Sequence, residues 1–247
     1  MLKILDNFFT EEECNNAVSY VIQNEPNWYV CPWTNMYILG NSLFRKITFN
    51  SNGIDYGNYF DVGPVDSAAT QLFKDKLHAM YDDIKFIPGF SKPGFQIIKL
   101  NENKNPSVWH YDDMLTCFPF EMYFKDYTNF KDYFDQKIIF TTLLSDGNYS
   151  FDYYPETLSE FGKDYTESKT ISPICEHHRN LIGDNCLNAN CALKEFQTKY
   201  YKKGTMLIQD ERVLHRVGMK DLNGSNNLRI TLQGYGLIKD STLYLLW

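Results

Sequence analysis

His110 and Asp112 stand two residues apart in the run Trp109-His110-Tyr111-Asp112-Asp113. On extended backbone, side chains two apart leave from the same face, so one imidazole and one carboxylate can converge on a single ion. Asp113 then faces the other way. A His-x-Asp pair alone says little, but the C-terminal part adds to it. Residues 203–210, Lys-Gly-Thr-Met-Leu-Ile-Gln-Asp, read as a strand, and after a short turn a second strand carries His215. Arg229 follows in Arg229-Ile230-Thr231-Leu232-Gln233-Gly234. Alternation puts Arg229, Thr231, Gln233 and Tyr235 on one face and Ile230 and Leu232 on the other. An arginine turned inward on such a strand needs an anionic partner, because an unpaired buried cation is prohibitively costly.

Two histidines and one carboxylate form the facial ligand set that holds Fe(II) on one side and leaves positions open. The plainer alternative is a hydrogen-bonded His110–Asp112 surface pair, with His215 and Arg229 as sheet residues capped by carboxylates. His78 lies in a helical stretch among apolar neighbours and reads as an ordinary helix histidine. A second cluster, Cys175, His177, His178, Cys186 and Cys191, brings thiols and imidazoles into one polar segment. Such groups can bind a structural zinc. Their spacing fits no standard zinc module, however, and loop residues without metal are the simpler reading.

The elements that must position these groups change character along the chain. A helix is expected over residues 10–24, opened by a Thr10–Glu13 capping box, with Cys14, Ala17, Val18, Val21 and Ile22 on one face. A second is expected over 66–84, with Asp66 as N-cap and Leu72, Phe73, Leu77, Met80, Tyr81 and Ile84 as its buried stripe. Pro88-Gly89 and Pro93-Gly94 bracket a turn region. Short strands are then expected at 95–100, 137–144, 205–209, 213–219, 228–237 and 242–247. Asn223-Gly224 is expected to join the fourth and fifth as an antiparallel pair. Helices first and strands afterwards predict an α+β domain with an antiparallel sandwich or jelly roll at its core. Residues 145–203 are polar and longer than a normal connection, and are expected to be an insertion or lid within a single domain spanning 1–247.

With 247 residues, 43% hydrophobic and 22% charged, the chain is long enough for a sizeable core and too apolar for wholesale disorder. Its net charge of −7 argues against broad binding of a phosphate backbone. No apolar run approaches the roughly 20 residues of a membrane span, and the opening segment reads as no targeting signal. A soluble, cytoplasmic protein with reduced thiols is therefore expected.

The order His-x-Asp, His, Arg on successive late strands resembles the Fe(II)/2-oxoglutarate-dependent oxygenases, in particular their prolyl 4-hydroxylase-like branch. Residues 2–14 resemble that branch's opening strand and helix. Gln96-Ile97-Ile98-Lys99-Leu100 followed by His110-Tyr111-Asp112 resembles its strand into the first ligand pair, and residues 204–217 and 229–231 resemble its closing strands. The resemblance implies a double-stranded β-helix with N-terminal helices packed on one sheet. It implies that His110, Asp112 and His215 ligate iron, that Arg229 pairs with the distal carboxylate of 2-oxoglutarate, and that Thr231 adds a hydroxyl hydrogen bond. The implied reaction is oxidative decarboxylation of 2-oxoglutarate by dioxygen to succinate and CO2, coupled to hydroxylation of an unactivated C–H bond. The chain departs from the family at Leu100, where a tyrosine often helps to hold 2-oxoglutarate. It also departs at residues 145–154, where many relatives carry a Gly-Gly-x-Leu turn.

The expected substrate is a peptide or protein side chain such as proline, or alternatively a small molecule or free amino acid. Oxidative demethylation of nucleic acid fits the charge poorly. A non-catalytic binding module on a jelly-roll scaffold is the reading from another class. Oligomeric state is not legible in the sequence.

Overall fold

A computed structural model describes residues 2–30, 36–40, 45–50, 53–59, 67–87, 93–100, 135–147, 149–155, 195–210, 213–219 and 228–246. His110, Asp112, Asp113 and the cluster Cys175, His177, His178, Cys186 and Cys191 lie outside them, as do Pro88-Gly89, Arg212 and Asn223-Gly224.

The chain opens with β1 (Leu2–Leu5) and α1 (Glu11–Gln23). Thr10 caps α1: its hydroxyl accepts from the Glu13 amide while the Glu13 carboxylate accepts from the Thr10 amide at 2.7 Å. Both orphan donors of the first turn are thereby satisfied, as the capping box predicts. After a 3-10 turn at Glu25–Asn27 come β2 (Tyr29–Val30), β3 (Tyr37–Leu39), β4 (Arg45–Asn50) and β5 (Gly53–Tyr59). The second helix, α2, runs Ala68–His78 and is shorter than its apolar stripe suggested. Its N-cap is Ser67 and not Asp66, because Ser67 and Thr70 exchange side-chain-to-backbone bonds across the first turn. Ile84 does not continue it. That residue opens β6 (Ile84–Ile87), which pairs in parallel with the chain's last strand.

Strands follow: β7 (Gly94–Lys99), β8 (Gln136–Leu143), β9 (Tyr149–Tyr153), β10 (Gln197–Tyr201), β11 (Met206–Asp210), β12 (His215–Met219), β13 (Leu228–Lys239) and β14 (Thr242–Leu246). Among the described residues they form a large, mainly antiparallel sheet in the order β1-β11-β8-β13-β7-β3-β2, with β14 attached to β13 and β6 to β14. A smaller sheet runs β10-β9-β12, and β4 and β5 pair with each other. Two expectations change here. β12 and β13 do not pair; one lies in the small sheet and the other in the large one. And the polar stretch 145–203 is not all excursion, since β9 and β10 begin and end it as hydrogen-bonded neighbours.

The large sheet carries apolar groups on both faces, so it has two cores. On one face Cys14, Ala17 and Val21 of α1 and Phe73 and Leu77 of α2 share a buried cluster with Phe140, Met206, Ile208, Ile230 and Leu232. Phe73 meets Phe140 edge-on with ring centroids 5.9 Å apart. On the other face Leu143 and Leu207 join Tyr149, Phe151, Tyr153, Tyr201 and Val213, which ties the large sheet to the small one. Gly204 makes the crossing from β10 to β11 possible. It adopts φ +82°, and a Cβ there would lie 2.3 Å from the Phe9 carbonyl oxygen. No helix among the described residues is long and apolar enough to cross a membrane.

Candidate functional site

The large and small sheets face each other across a shared interior. In the small sheet, β12 pairs with β9 so that His215 opposes Tyr153, Arg216 opposes Asp152 and Val217 opposes Phe151. Alternation sends His215 inward and Arg216 outward. His215 is 4% exposed, and its ring stacks on Phe151 with centroids 4.9 Å apart. Its Nδ1 lies 2.8 Å from the Val213 carbonyl oxygen, and its Nε2 lies 3.3 Å from the Gln209 side-chain nitrogen. A carbonyl can only accept, so Nδ1 carries the proton and the Nε2 lone pair accepts from the Gln209 amide. That is the tautomer a metal-ligating histidine requires, oriented by the kind of backbone contact such ligands use.

In the large sheet, β13 places Arg229 opposite Ile98 and Thr231 opposite both Gln96 and Leu143. Arg229 is 4% exposed. Its Nη2 donates to the Tyr201 hydroxyl at 2.9 Å, and its guanidinium carbon lies 5.4 Å from the centre of the Tyr149 ring. It has no carboxylate partner among the described residues, and its buried Nε makes no hydrogen bond there. The Thr231 hydroxyl, also buried, makes none either. Burial pushes the Tyr149 hydroxyl upward from its ordinary range, although the nearby Arg229 cation pulls the other way. The phenol therefore stays neutral and does not cancel the arginine's charge. Ser145 is near enough to favour its phenolate, yet no well-formed hydrogen bond reaches the Tyr149 hydroxyl.

Further along the same face the row stays polar. Gln96 donates to the Gln233 side-chain oxygen, which also accepts from the Tyr235 hydroxyl. The result is a buried interior with an imidazole lone pair at one place and an anion-seeking cluster at another.

Of the residues expected from sequence, His215, Arg229 and Thr231 have inward-facing positions in the two sheets that share this interior. His110 and Asp112 lie outside the described residues, and no group of three His, Cys, Asp or Glu side chains converges among those described. Arg216, adjacent on β12, is turned away from His215 towards Asp152. His78 ends α2 exposed, with its ring 5.8 Å from that of Phe86. Sequence reasoning missed Tyr149, Tyr201 and Gln209 as site residues. The signal for Tyr149 was there: aromatics at 149, 151 and 153 alternate as a half-buried strand requires.

No protein-family model matches the chain, and no curated protein matches it. Among solved structures it resembles the epimerase SnoN in complex with Fe3+, alpha ketoglutarate and nogalamycin RO, at 10% identity and TM-score 0.49, covering 96% of this chain and 78% of that one. It also resembles the viral collagen prolyl hydroxylase of Paramecium Bursaria Chlorella virus-1, at 11% identity and TM-score 0.43, covering 96% of both chains. A Pseudomonas putida prolyl-4-hydroxylase is similar at 10% identity and TM-score 0.42, covering 96% of this chain and 92% of that one. With TM-scores below 0.5, these are general likenesses, and the functional reading rests on the chain's own residues.

Proposed function

We propose that this chain is an Fe(II)- and 2-oxoglutarate-dependent dioxygenase on a double-stranded β-helix, one domain over residues 1–247 with its N-terminal helices on the larger sheet. The observation that carries the reading is Arg229. A buried guanidinium without an acidic neighbour among the described residues, flanked by unpartnered hydroxyls, is unstable unless an anion completes it. A carboxylate fits the fork of an arginine bidentately.

The residues present suit the two implied groups. His215 carries its proton on Nδ1, so Nε2 is the nitrogen that would ligate a metal in place of its Gln209 contact, and we propose His110 and Asp112 as the other ligands. Arg229 and Thr231 would take the distal carboxylate of 2-oxoglutarate. Tyr153 beside His215 and Tyr149 beside Arg229 are four residues apart on β9, about 13 Å of strand. Two inward side chains and a five-carbon dicarboxylate fill a gap of that order. When bound, iron with 2-oxoglutarate and dioxygen supplies the oxidising power to hydroxylate an unactivated C–H bond, releasing succinate and CO2. The chain's own part is to hold the acid in one orientation and to exclude water with Phe151, Leu143 and Tyr149.

The substrate we propose is a peptidyl residue such as proline. Residues 156–194, the expected lid, lie outside the described residues; Tyr153 and Gln197, on either side of them, share the rung that also carries His215. A cytoplasmic setting suits Cys14, which is buried as a free thiol. The test is anaerobic addition of Fe(II) and 2-oxoglutarate. The expected outcome is a weak visible charge-transfer band that needs both, and a folded protein that never shows it would defeat the reading.

A further inference from the structure

Hydrogen-bond accounting around Tyr201 leaves one donor over. Its hydroxyl oxygen accepts from Arg229 Nη2 at 2.9 Å. An arginine cannot accept in return, so the Tyr201 proton must point to a third group. None is found among the described residues. The neighbouring Tyr149 hydroxyl makes no hydrogen bond there, although the two rings lie 6.1 Å apart. Water from bulk has little access, since Tyr201 is 2% exposed. Besides the Tyr149 hydroxyl, three buried donors therefore face the same interior without an acceptor among the described residues: Arg229 Nε, the Thr231 hydroxyl and the Tyr201 hydroxyl. Leaving even one such group unsatisfied is costly, and three together describe a seat for a multivalent acceptor.

We propose that Tyr201 is a cosubstrate-contacting residue that donates its proton to the distal carboxylate of the bound 2-oxo acid while holding Arg229 in place, a role that rests on the proposed dioxygenase reading. The chain has Leu100, 4% exposed, immediately after β7 and carries no phenol there. Tyr201 supplies a phenol from β10 in the facing sheet. Both sheets then close on one carboxylate, so recognition of the distal group also clamps the sandwich. A bare 2-oxo acid of the same length engages none of the three donors. The pocket should therefore discriminate by the distal charge and not only by length.

The test is calorimetric titration of the full chain, loaded with Mn(II), with 2-oxoglutarate and with 2-oxopentanoate, which has the same carbon count but no distal carboxylate. Tyr201→Phe removes one oxygen and keeps the ring. It should weaken 2-oxoglutarate about tenfold and leave 2-oxopentanoate within about twofold of the parent chain. Tyr81→Phe, which removes a phenol oxygen beside Phe140 on the other face of the large sheet, is the control and should leave both acids unchanged. Equal weakening of both acids by Tyr201→Phe would make Tyr201 merely structural and overturn the proposal. No weakening of either would overturn it too. If the unmutated protein shows no preference for 2-oxoglutarate, or if Arg229→Ala leaves that preference intact, the dioxygenase reading falls and this inference falls with it. A preference that depends on Arg229 but not on Tyr201 overturns this inference alone.

Discussion

Arg216 Nε lies 2.9 Å from Asp152 Oδ2, on the opposite side of the small sheet from His215. The other Asp152 oxygen accepts from the Thr198 hydroxyl at 2.8 Å, and the guanidinium packs on the Phe196 ring with its carbon 5.0 Å from the centre. All three small-sheet strands meet in this pair, because Thr198 is on β10, Asp152 on β9 and Arg216 on β12. It is a structural ion pair, and its place explains why adjacent residues of β12 have unrelated tasks.

Removing one partner should therefore cost stability and not affinity. Arg216→Ala leaves the Asp152 carboxylate buried and uncompensated, a change that typically costs about 3–5 kcal/mol. Replacing both, as Arg216→Met with Asp152→Leu, should recover much of that loss. Urea denaturation measures it. In the same variants the folded protein should bind 2-oxoglutarate as the parent does. A selective loss of binding in Arg216→Ala would mean that the register of β12 is wrong by one residue.

Arg229 should behave in the opposite way. Arg229→Ala is expected to weaken 2-oxoglutarate by at least tenfold, about 1.4 kcal/mol, with metal affinity little changed. Arg229→Lys should recover only part, since a point charge cannot reproduce the fork that also reaches Tyr201. Stability gives an independent check. Because the cation is buried without an acidic partner among the described residues, Arg229→Met should leave the unliganded fold as stable as before or more so. Thermal melting with and without 2-oxoglutarate separates the two effects.

The contrast between these arginines shows how far the sequence could be read. Alternation alone put Arg229 and Thr231 on one face of β13 and Ile230 and Leu232 on the other. It was not followed at β9, where Ser150 and Asp152 alternate with three aromatics although all five residues Tyr149–Tyr153 are buried. Asp152 and Ser150 read there as loop residues, since their partners across the sheet are far off in sequence. The opposite error occurred at Ile84. Its spacing continued the helical stripe of α2, but β14, whose Leu243 pairs with Ile84 from the far end of the chain, offers a parallel strand edge. Local capping was legible at Thr10 because both halves of the box are sequence neighbours. At α2 the same logic applied one residue later than Asp66, since Ser67 has a reciprocal partner in Thr70.

Cys14 makes a prediction about pH. Burial pushes its thiol up from 9.0 to about 11, with the Lys203 ammonium opposing. The unfolded chain thus loses this proton at lower pH than the folded one. The stabilisation is fully present below pH 9 and is lost as pH rises through about 11, an effect on the order of 2 kcal/mol. Urea midpoints at pH 8 and pH 10.5 should fall less steeply for Cys14→Ala than for the parent. The native thiol should also resist alkylation at pH 8, because so little of it is thiolate.

The segment between β9 and β10 can be shortened without touching either strand. Gln197 pairs with Tyr153 and Tyr201 with Tyr149, so the two strands are an antiparallel hairpin whose open end lies at residues 153–155 and 195–197. Chain ends that sit on one rung can be joined by a short turn. Cutting out the whole of 145–203 would remove both strands and with them Tyr149 and Tyr201, so its effect would say nothing about a lid. Replacing only 156–194 with Asn-Gly and short flanks keeps the sheet ladder and the Arg229 contacts. The shortened chain should still bind 2-oxoglutarate within about twofold, because none of the donors to its distal carboxylate is touched. Turnover of a peptidyl substrate should fall far more than uncoupled consumption of 2-oxoglutarate. Matching losses in the two rates, measured as succinate released with and without peptide in a variant that melts cooperatively, would mean that these residues support the site itself and do not cover it.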